Sequence, residues 1–168
     1  MKQLNVGILG LGTVGGGTYT VLKRNAEEIA RRTGVNIKVT HVADKNIERA
    51  NALTQGEVNV TDDAFALVEN PEVDVIVELI GGYGVAKDLV LKAIANKKHV
   101  VTANKALIAL HGNEIFSAAQ KMDVMVAYEA AVAGGIPIIK ALREGLGANH
   151  IEWIAGIING TTNFILTE

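Results

Sequence analysis

Leu4-Asn5-Val6-Gly7-Ile8-Leu9-Gly10-Leu11-Gly12-Thr13-Val14-Gly15 reads as an apolar strand that runs into a glycine turn and then into a helix. Each glycine has a task. Gly10 allows the tight turn, Gly12 lets the backbone approach a pyrophosphate, and Gly15 lets the helix pack closely on the strand. The helix start presents free N–H groups and partial positive charge to an anion. Three glycines at this spacing are weak evidence alone. Strand, turn and helix in this order make them the expectation of a dinucleotide site, with Thr13 and Val14 in the first helical turn.

Composition agrees with one folded domain. The chain has 168 residues, 49% hydrophobic and 20% charged, with a formal net charge of -2. That suffices for one domain with a full core. No Lys/Arg stripe interleaves with aromatic residues, so nucleic acid is not an expected partner. No apolar run reaches transmembrane length and the N-terminus lacks a signal-peptide layout, so no membrane is expected and a cytoplasmic protein is the plain reading. There is no cysteine. Disulfides and thiolate metal sites are excluded, and so is aldehyde oxidation by a cysteine nucleophile of these residues.

Working outward, Val14, Thr18, Val21, Leu22, Ala26 and Ile29 recur at helical steps, predicting one helix with these residues on its inner face, capped at Gly34. Ile37, Val39, His41 and Ala43 then alternate as a second strand ending at Asp44. An acidic residue there bonds the ribose hydroxyls of NAD in dinucleotide folds, though the usual spacing is about 20 residues and Asp44 comes about nine later. The other reading of Asp44 is a cap for a short helix over 47–53. Lys45 follows and could reach a 2′-phosphate, so NAD and NADP both stay open.

Thr61 or Asp62 is expected to cap a helix carrying Phe65, Leu67 and Val68, which Asn70-Pro71 ends. A buried strand over 73–80 leads to Gly81-Gly82, and the spacing predicts a helix over 85–94. Tyr83 and Lys87 have the Tyr-x-x-x-Lys spacing of short-chain dehydrogenases, but they follow a strand directly, and the spacing reads as coincidence. The next strand, His99–Ala103, runs into Asn104-Lys105 and a helix that His111-Gly112-Asn113 is expected to break. Lys105 is informative. A cation in a first helical turn opposes the macrodipole by about 0.3–1 kcal/mol, which points to a negative or polar partner there. A strand over 124–128 ends at Glu129. The small-residue loop 130–135 before Ile136-Pro137 suits either an anion or, through its oxygens, a hard cation. Residues 150–158 read as a strand outside the nucleotide sheet, and Asn159-Gly160 as a turn. Strands alternating with helices define an α/β, Rossmann-type doubly wound parallel sheet over residues 1–150, with 151–168 read as the beginning of a further, truncated domain, which the resemblance below implies is the substrate and dimerisation domain.

Four stretches in this order resemble homoserine dehydrogenases: Gly10-Leu11-Gly12-Thr13-Val14-Gly15, Thr102-Ala103-Asn104-Lys105, Glu129-Ala130-Ala131-Val132-Ala133-Gly134-Gly135-Ile136-Pro137, and Gly156-Ile157-Ile158-Asn159-Gly160-Thr161-Thr162-Asn163. The first is generic and the other three are specific. The resemblance implies NAD(P)-dependent interconversion of L-aspartate 4-semialdehyde and L-homoserine, with a small-molecule substrate and a homodimer for the full-length enzyme. It implies that Thr13 and Val14 line the pyrophosphate, Thr102 lies near the nicotinamide, and Lys105 sits at the cofactor–substrate junction with a catalytic role. It further implies a structural sodium ion at Glu129, Val132, Gly134 and Ile136, and a substrate pocket bordered by Asn159, Gly160 and Thr161. The family's principal catalytic lysine falls in the following domain, so cofactor binding with little or no turnover is the expectation for these residues.

Overall fold

The computed structural model describes residues 1–156. Its strands are β1 (Lys2–Leu9), β2 (Val35–Ala43), β3 (Asn59–Thr61), β4 (Val75–Glu78), β5 (His99–Thr102) and β6 (Val126–Ala127). They form one sheet in the order β3-β2-β1-β4-β5-β6, every pairing parallel. Parallel neighbours need crossovers, and helices supply them. These are α1 (Thr13–Arg24) and α2 (Ala26–Thr33), α3 (Ile47–Thr54), α4 (Ala64–Glu69), α5 (Gly84–Ala95) and α6 (Lys105–Met122). The chain steps outward from β1 to β3 and then returns to β4 on the other side of β1. The strand order therefore reverses between β1 and β4, and a crevice opens at their carboxyl ends. After β6, a turn over Glu129–Ala131 leads to α7 (Ile138–Lys140), continued as a wider turn over Ala141–Gly145.

Alternation along the strands builds a core on each face. Leu9, Ile76, Val100 and Val126 pack with Leu67, Leu89, Ile94, Leu107 and Ile115 from α4, α5 and α6. Val6, Ile8, Val42, Val75 and Val77 share the opposite cluster with Tyr19 of α1 and Ala50 of α3. On that second face Leu4, Val6, Val75, Val77, Val101, Met125 and Ala127 border an open, almost wholly apolar groove of about 440 Å³. At the amino-terminal rim the buried Lys98 donates to the carbonyls of Asn70 (2.5 Å) and Val73 (2.6 Å). Burial pushes its pKa down, against an upward pull from Asp74. No helix among the described residues is long and apolar enough to cross a membrane.

Several sequence expectations are corrected. The first helix is broken at Asn25, which closes α1 and opens α2 with φ -103 and ψ 16, outside the helical region. Its inner face is met only in part: Leu22 packs against the core as expected, but Gly15 and Tyr19 are the buried residues of α1, while Val14 is 59% exposed. The cause is Gly15, where a Cβ would stand 1.9 Å from the Gly10 carbonyl oxygen, so α1 must rest on the glycine turn by that residue. Gly34 does cap α2, in the left-handed conformation. Helix α4 is capped by Asp63, which accepts from the Ala66 N–H at 3.0 Å, while Thr61 accepts from the Asp63 N–H. Helix α6 runs unbroken through His111-Gly112-Asn113. Burial of Leu107, Ile115 and Ala119 along one face outweighs the roughly 1 kcal/mol that an interior glycine costs. Residues 150–156 form no strand; 157 and 158, the rest of the expected strand, lie outside the described residues.

Candidate functional site

The crevice at the strand reversal is a cleft of about 730 Å³ whose lining includes Gly10, Gly12, Asp44, Lys45, Arg49 and Ile80. Gly10 takes φ +88, and a side chain there would press within 2.9 Å of the Leu79 carbonyl, so only glycine fits the turn. Its N–H is fixed to the Ala43 carbonyl at 2.8 Å. At Gly12 a side chain would meet nothing within 4 Å, and the space before the turn is open. Helix α1 begins there with no side-chain cap and no acidic residue in its first turn. The N–H groups of Thr13, Val14 and Gly15 therefore have no intrahelical acceptor, and the helix's own first turn sets no carboxylate against them.

Asp44 holds the turn from below. Its Oδ2 accepts from the Leu11 N–H at 2.6 Å and its Oδ1 from the Asn46 N–H at 2.8 Å. Arg49 completes a clamp, donating from Nη2 to the Leu11 carbonyl at 3.0 Å and to Asp44 Oδ2 at 3.4 Å. Burial alone would raise the Asp44 pKa; the Asn46 and Leu11 N–H groups and the Arg49 charge together outweigh it and hold the carboxyl below its ordinary value. The cap of α3 is Asn46, which accepts from the Arg49 N–H at 2.9 Å, so the capping alternative for Asp44 falls away. Lys45 donates to the Asp62 carbonyl at 3.1 Å on the rim of the cleft. Arg49 escaped the sequence reading because its partners lie on another element.

On the other side of the reversal, Glu78 ends β4 fully buried. Its Oε1 accepts from the Ile80 N–H (3.0 Å) and its Oε2 from the Thr102 hydroxyl (2.7 Å). Thr102 is its register partner on β5, and its hydroxyl in turn accepts from the Asn104 N–H at 3.0 Å. Asn104 donates to the Gly82 carbonyl and caps α6 by accepting from the Leu107 N–H at 3.1 Å. The Thr102 side chain is thus turned inward. Lys105 opens α6 on the same carboxyl rim, exposed, with no ion-pair partner among the described residues. Neither Thr102 nor Lys105 borders the 730 Å³ cleft. Glu78 had one signal in the sequence: a carboxylate at the end of an otherwise apolar strand. The Tyr83 and Lys87 spacing has no catalytic geometry, since Lys87 pairs with Glu114 at 2.9 Å.

In the loop after β6, Glu129 accepts from the N–H groups of Ile139 and Lys140, both at 2.9 Å. Its carbonyl accepts from Val132 and the Ile136 carbonyl from Ile138, whereas the Val132 and Gly134 carbonyls take no backbone bond among the described residues. Asn159, Gly160 and Thr161 lie outside the described residues.

A parallel sheet reversing at β1 and β4, a glycine turn at that point, an uncapped helix start and an acid at the end of β2 define a dinucleotide-binding domain of the doubly wound class. Comparison with known proteins makes this specific. Residues 10–129 match the family model described as homoserine dehydrogenase, NAD binding domain, and residues 137–168 match that of homoserine dehydrogenase. The chain belongs to the homoserine dehydrogenase family. It is 64% identical over 169 residues to a homoserine dehydrogenase of Pseudomonas aeruginosa, covering 100% of this chain and 38% of that protein. A crystal structure of a homoserine dehydrogenase from Thiobacillus denitrificans superposes with TM-score 0.91 and 65% identity, over 99% of this chain and 38% of the other. A hyperthermophilic archaeal homoserine dehydrogenase solved in complex with NADPH superposes with TM-score 0.70 and 25% identity, over 87% of this chain and 50% of the other. The chain thus spans well under half the length of the first two relatives.

Proposed function

We propose that this chain is the NAD(P)-binding part of an enzyme that reversibly reduces L-aspartate 4-semialdehyde to L-homoserine, on the route to threonine and methionine. The observation that carries the cofactor reading is the first turn of α1, whose N–H groups stand without a side-chain cap at an open glycine turn, with no acidic residue in that helical turn. The bound nicotinamide supplies the hydride chemistry; the residues bind, orient and stabilise charge. Gly10, Gly12, Thr13, Val14 and Gly15 hold the pyrophosphate, and Asp44 and Lys45 face the adenosine ribose. Thr102 shapes the nicotinamide end. Lys105, on the same rim and without an ion-pair partner among the described residues, stabilises oxygen charge that develops on the substrate.

Titration of the chain with NADH and with NADPH, repeated with Lys45→Ala, tests this. Binding of a dinucleotide is expected, and if Lys45 reads the 2′-phosphate only the NADPH affinity drops. No binding of either overturns the proposal. Homoserine oxidation by this chain is expected to be slight or absent, and rates typical of a complete enzyme would contradict that. The oxygen-only donors Glu129, Val132, Gly134 and Ile136 suit a hard monovalent cation bracing the loop after β6. A melting temperature higher in sodium chloride than in choline chloride at equal ionic strength is the expected sign, and equal values would remove the ion from the account.

A further inference from the structure

We propose that Glu78 is a positioning residue for the nicotinamide half of the cofactor, because its carboxylate joins the two backbone segments that wall that half of the crevice. The inference rests on the cofactor reading above. A carboxylate removed from water is costly unless hydrogen bonds replace its hydration. An apolar residue would fill the end of β4 at less cost, since Val75, Ile76 and Val77 precede it. No cation among the described residues pairs with Glu78. Each carboxylate oxygen instead takes one donor, and the two donors belong to different walls: the Ile80 N–H in the loop after β4, and the Thr102 hydroxyl at the end of β5.

The contacts close into a ring. From Thr102 the chain of bonds runs to the Asn104 N–H, then from the Asn104 side chain to the Gly82 carbonyl, and so back along the loop to Ile80. The loop is otherwise held at its ends, by the Leu79 N–H on the Leu9 carbonyl (2.9 Å) and by the Tyr83 ring against His111. Gly81 and Gly82 both take positive φ, 81 and 69, and a Cβ on either would meet nothing within 4 Å. Lys105 follows Asn104 directly, so the same ring sets where α6 and its first cation begin. In a doubly wound sheet the second mononucleotide lies on the β4–β5 side of the reversal. Glu78 is therefore placed to act on the nicotinamide end without touching the adenosine end, where Asp44 and Arg49 stand.

Glu78→Gln keeps the shape but can no longer accept from both groups: with its oxygen on the Ile80 N–H, its amide faces the Thr102 hydroxyl, which must give up the bond it donates. The chain and its variants are titrated with whichever of NADH or NADPH binds, and with the matching ligand that lacks nicotinamide, ADP-ribose or 2′-phospho-ADP-ribose. Glu78→Gln is expected to weaken the dinucleotide about tenfold and the nicotinamide-free ligand by less than about twofold. Thr102→Val is expected to reproduce the selective loss, and Thr102→Ser, which keeps the hydroxyl, to restore near-normal affinity. These Thr102 variants decide the matter if Glu78→Gln does not fold. Equal losses for both ligands would reduce Glu78 to a fold-maintaining residue, and no loss for the dinucleotide would overturn the proposal outright. If the unaltered chain binds neither ligand, the cofactor reading falls and this inference with it.

Discussion

Asp44 shows how one side chain couples local chemistry to the site. Its carboxylate is ionised more readily in the fold than in the unfolded chain, because N–H donors from Asn46 and Leu11 and the Arg49 guanidinium favour the charged form over the opposing effect of burial. A group whose folded pKa is depressed contributes stability that is complete above its unfolded pKa and lost as the pH falls through the folded one. Unfolding by urea is therefore expected to become easier from the ordinary carboxylate range, about pH 4, downward. Asp44→Asn should remove that part of the pH dependence. At neutral pH the same variant sets an amide donor against the Leu11 or Asn46 N–H, and a loss of about 1–3 kcal/mol is expected. An unchanged acid limb in the variant would mean that Asp44 does not hold the turn.

At the scale of the element, α1 gives a contrast between two glycines of one helix. Gly15→Ala drives a methyl group toward the Gly10 carbonyl, where the built distance is 1.9 Å. Overpacking of that kind costs about 1–3 kcal/mol and should deform the turn, so loss of dinucleotide binding is expected together with a lower melting temperature. Gly17 is exposed and a side chain there would meet nothing within 4 Å. Gly17→Ala is expected to raise stability by about 0.5–1 kcal/mol, with binding unchanged. If both variants melted alike, the contact between α1 and the turn would be misassigned. The same element explains what the sequence made legible. The glycine turn, the Gly34 cap and the strand alternation are local signals, and each predicted its element. The buried face of α1, the unbroken α6 and the Arg49 clamp depend on partners far along the chain. Arg49 and Leu11 are 38 residues apart, and Glu78 and Thr102 are 24 apart. No short window contains both members of either pair. The His111-Gly112-Asn113 break was a sound local inference that burial of one helix face overrode.

Across the whole molecule the two faces of the sheet are clothed unequally. Helices α4, α5 and α6 pack on one face, whereas on the other α1 and α3 leave open the apolar groove that runs from β1 across β4 and β5 to β6. Apolar surface of this kind binds hydrophobic dyes. With the cofactor cleft saturated by dinucleotide, an anilinonaphthalene sulfonate dye is expected to brighten on the chain. Met125→Lys, at a position 66% exposed and therefore tolerant of substitution, should dim that signal. A dark dye would show that the groove is closed in solution.

All six strands point the same way, which gives the sheet one working margin and one idle margin. The glycine turn, Asp44, Glu78 and Lys105 gather at the first, while Asn96 and Lys97 stand exposed in the turn before β5 at the second. A chain anchored to a sensor surface through Lys97 would thus hold its nucleotide mouth toward the flowing solution, with the depth of the sheet between the anchor and the binding event.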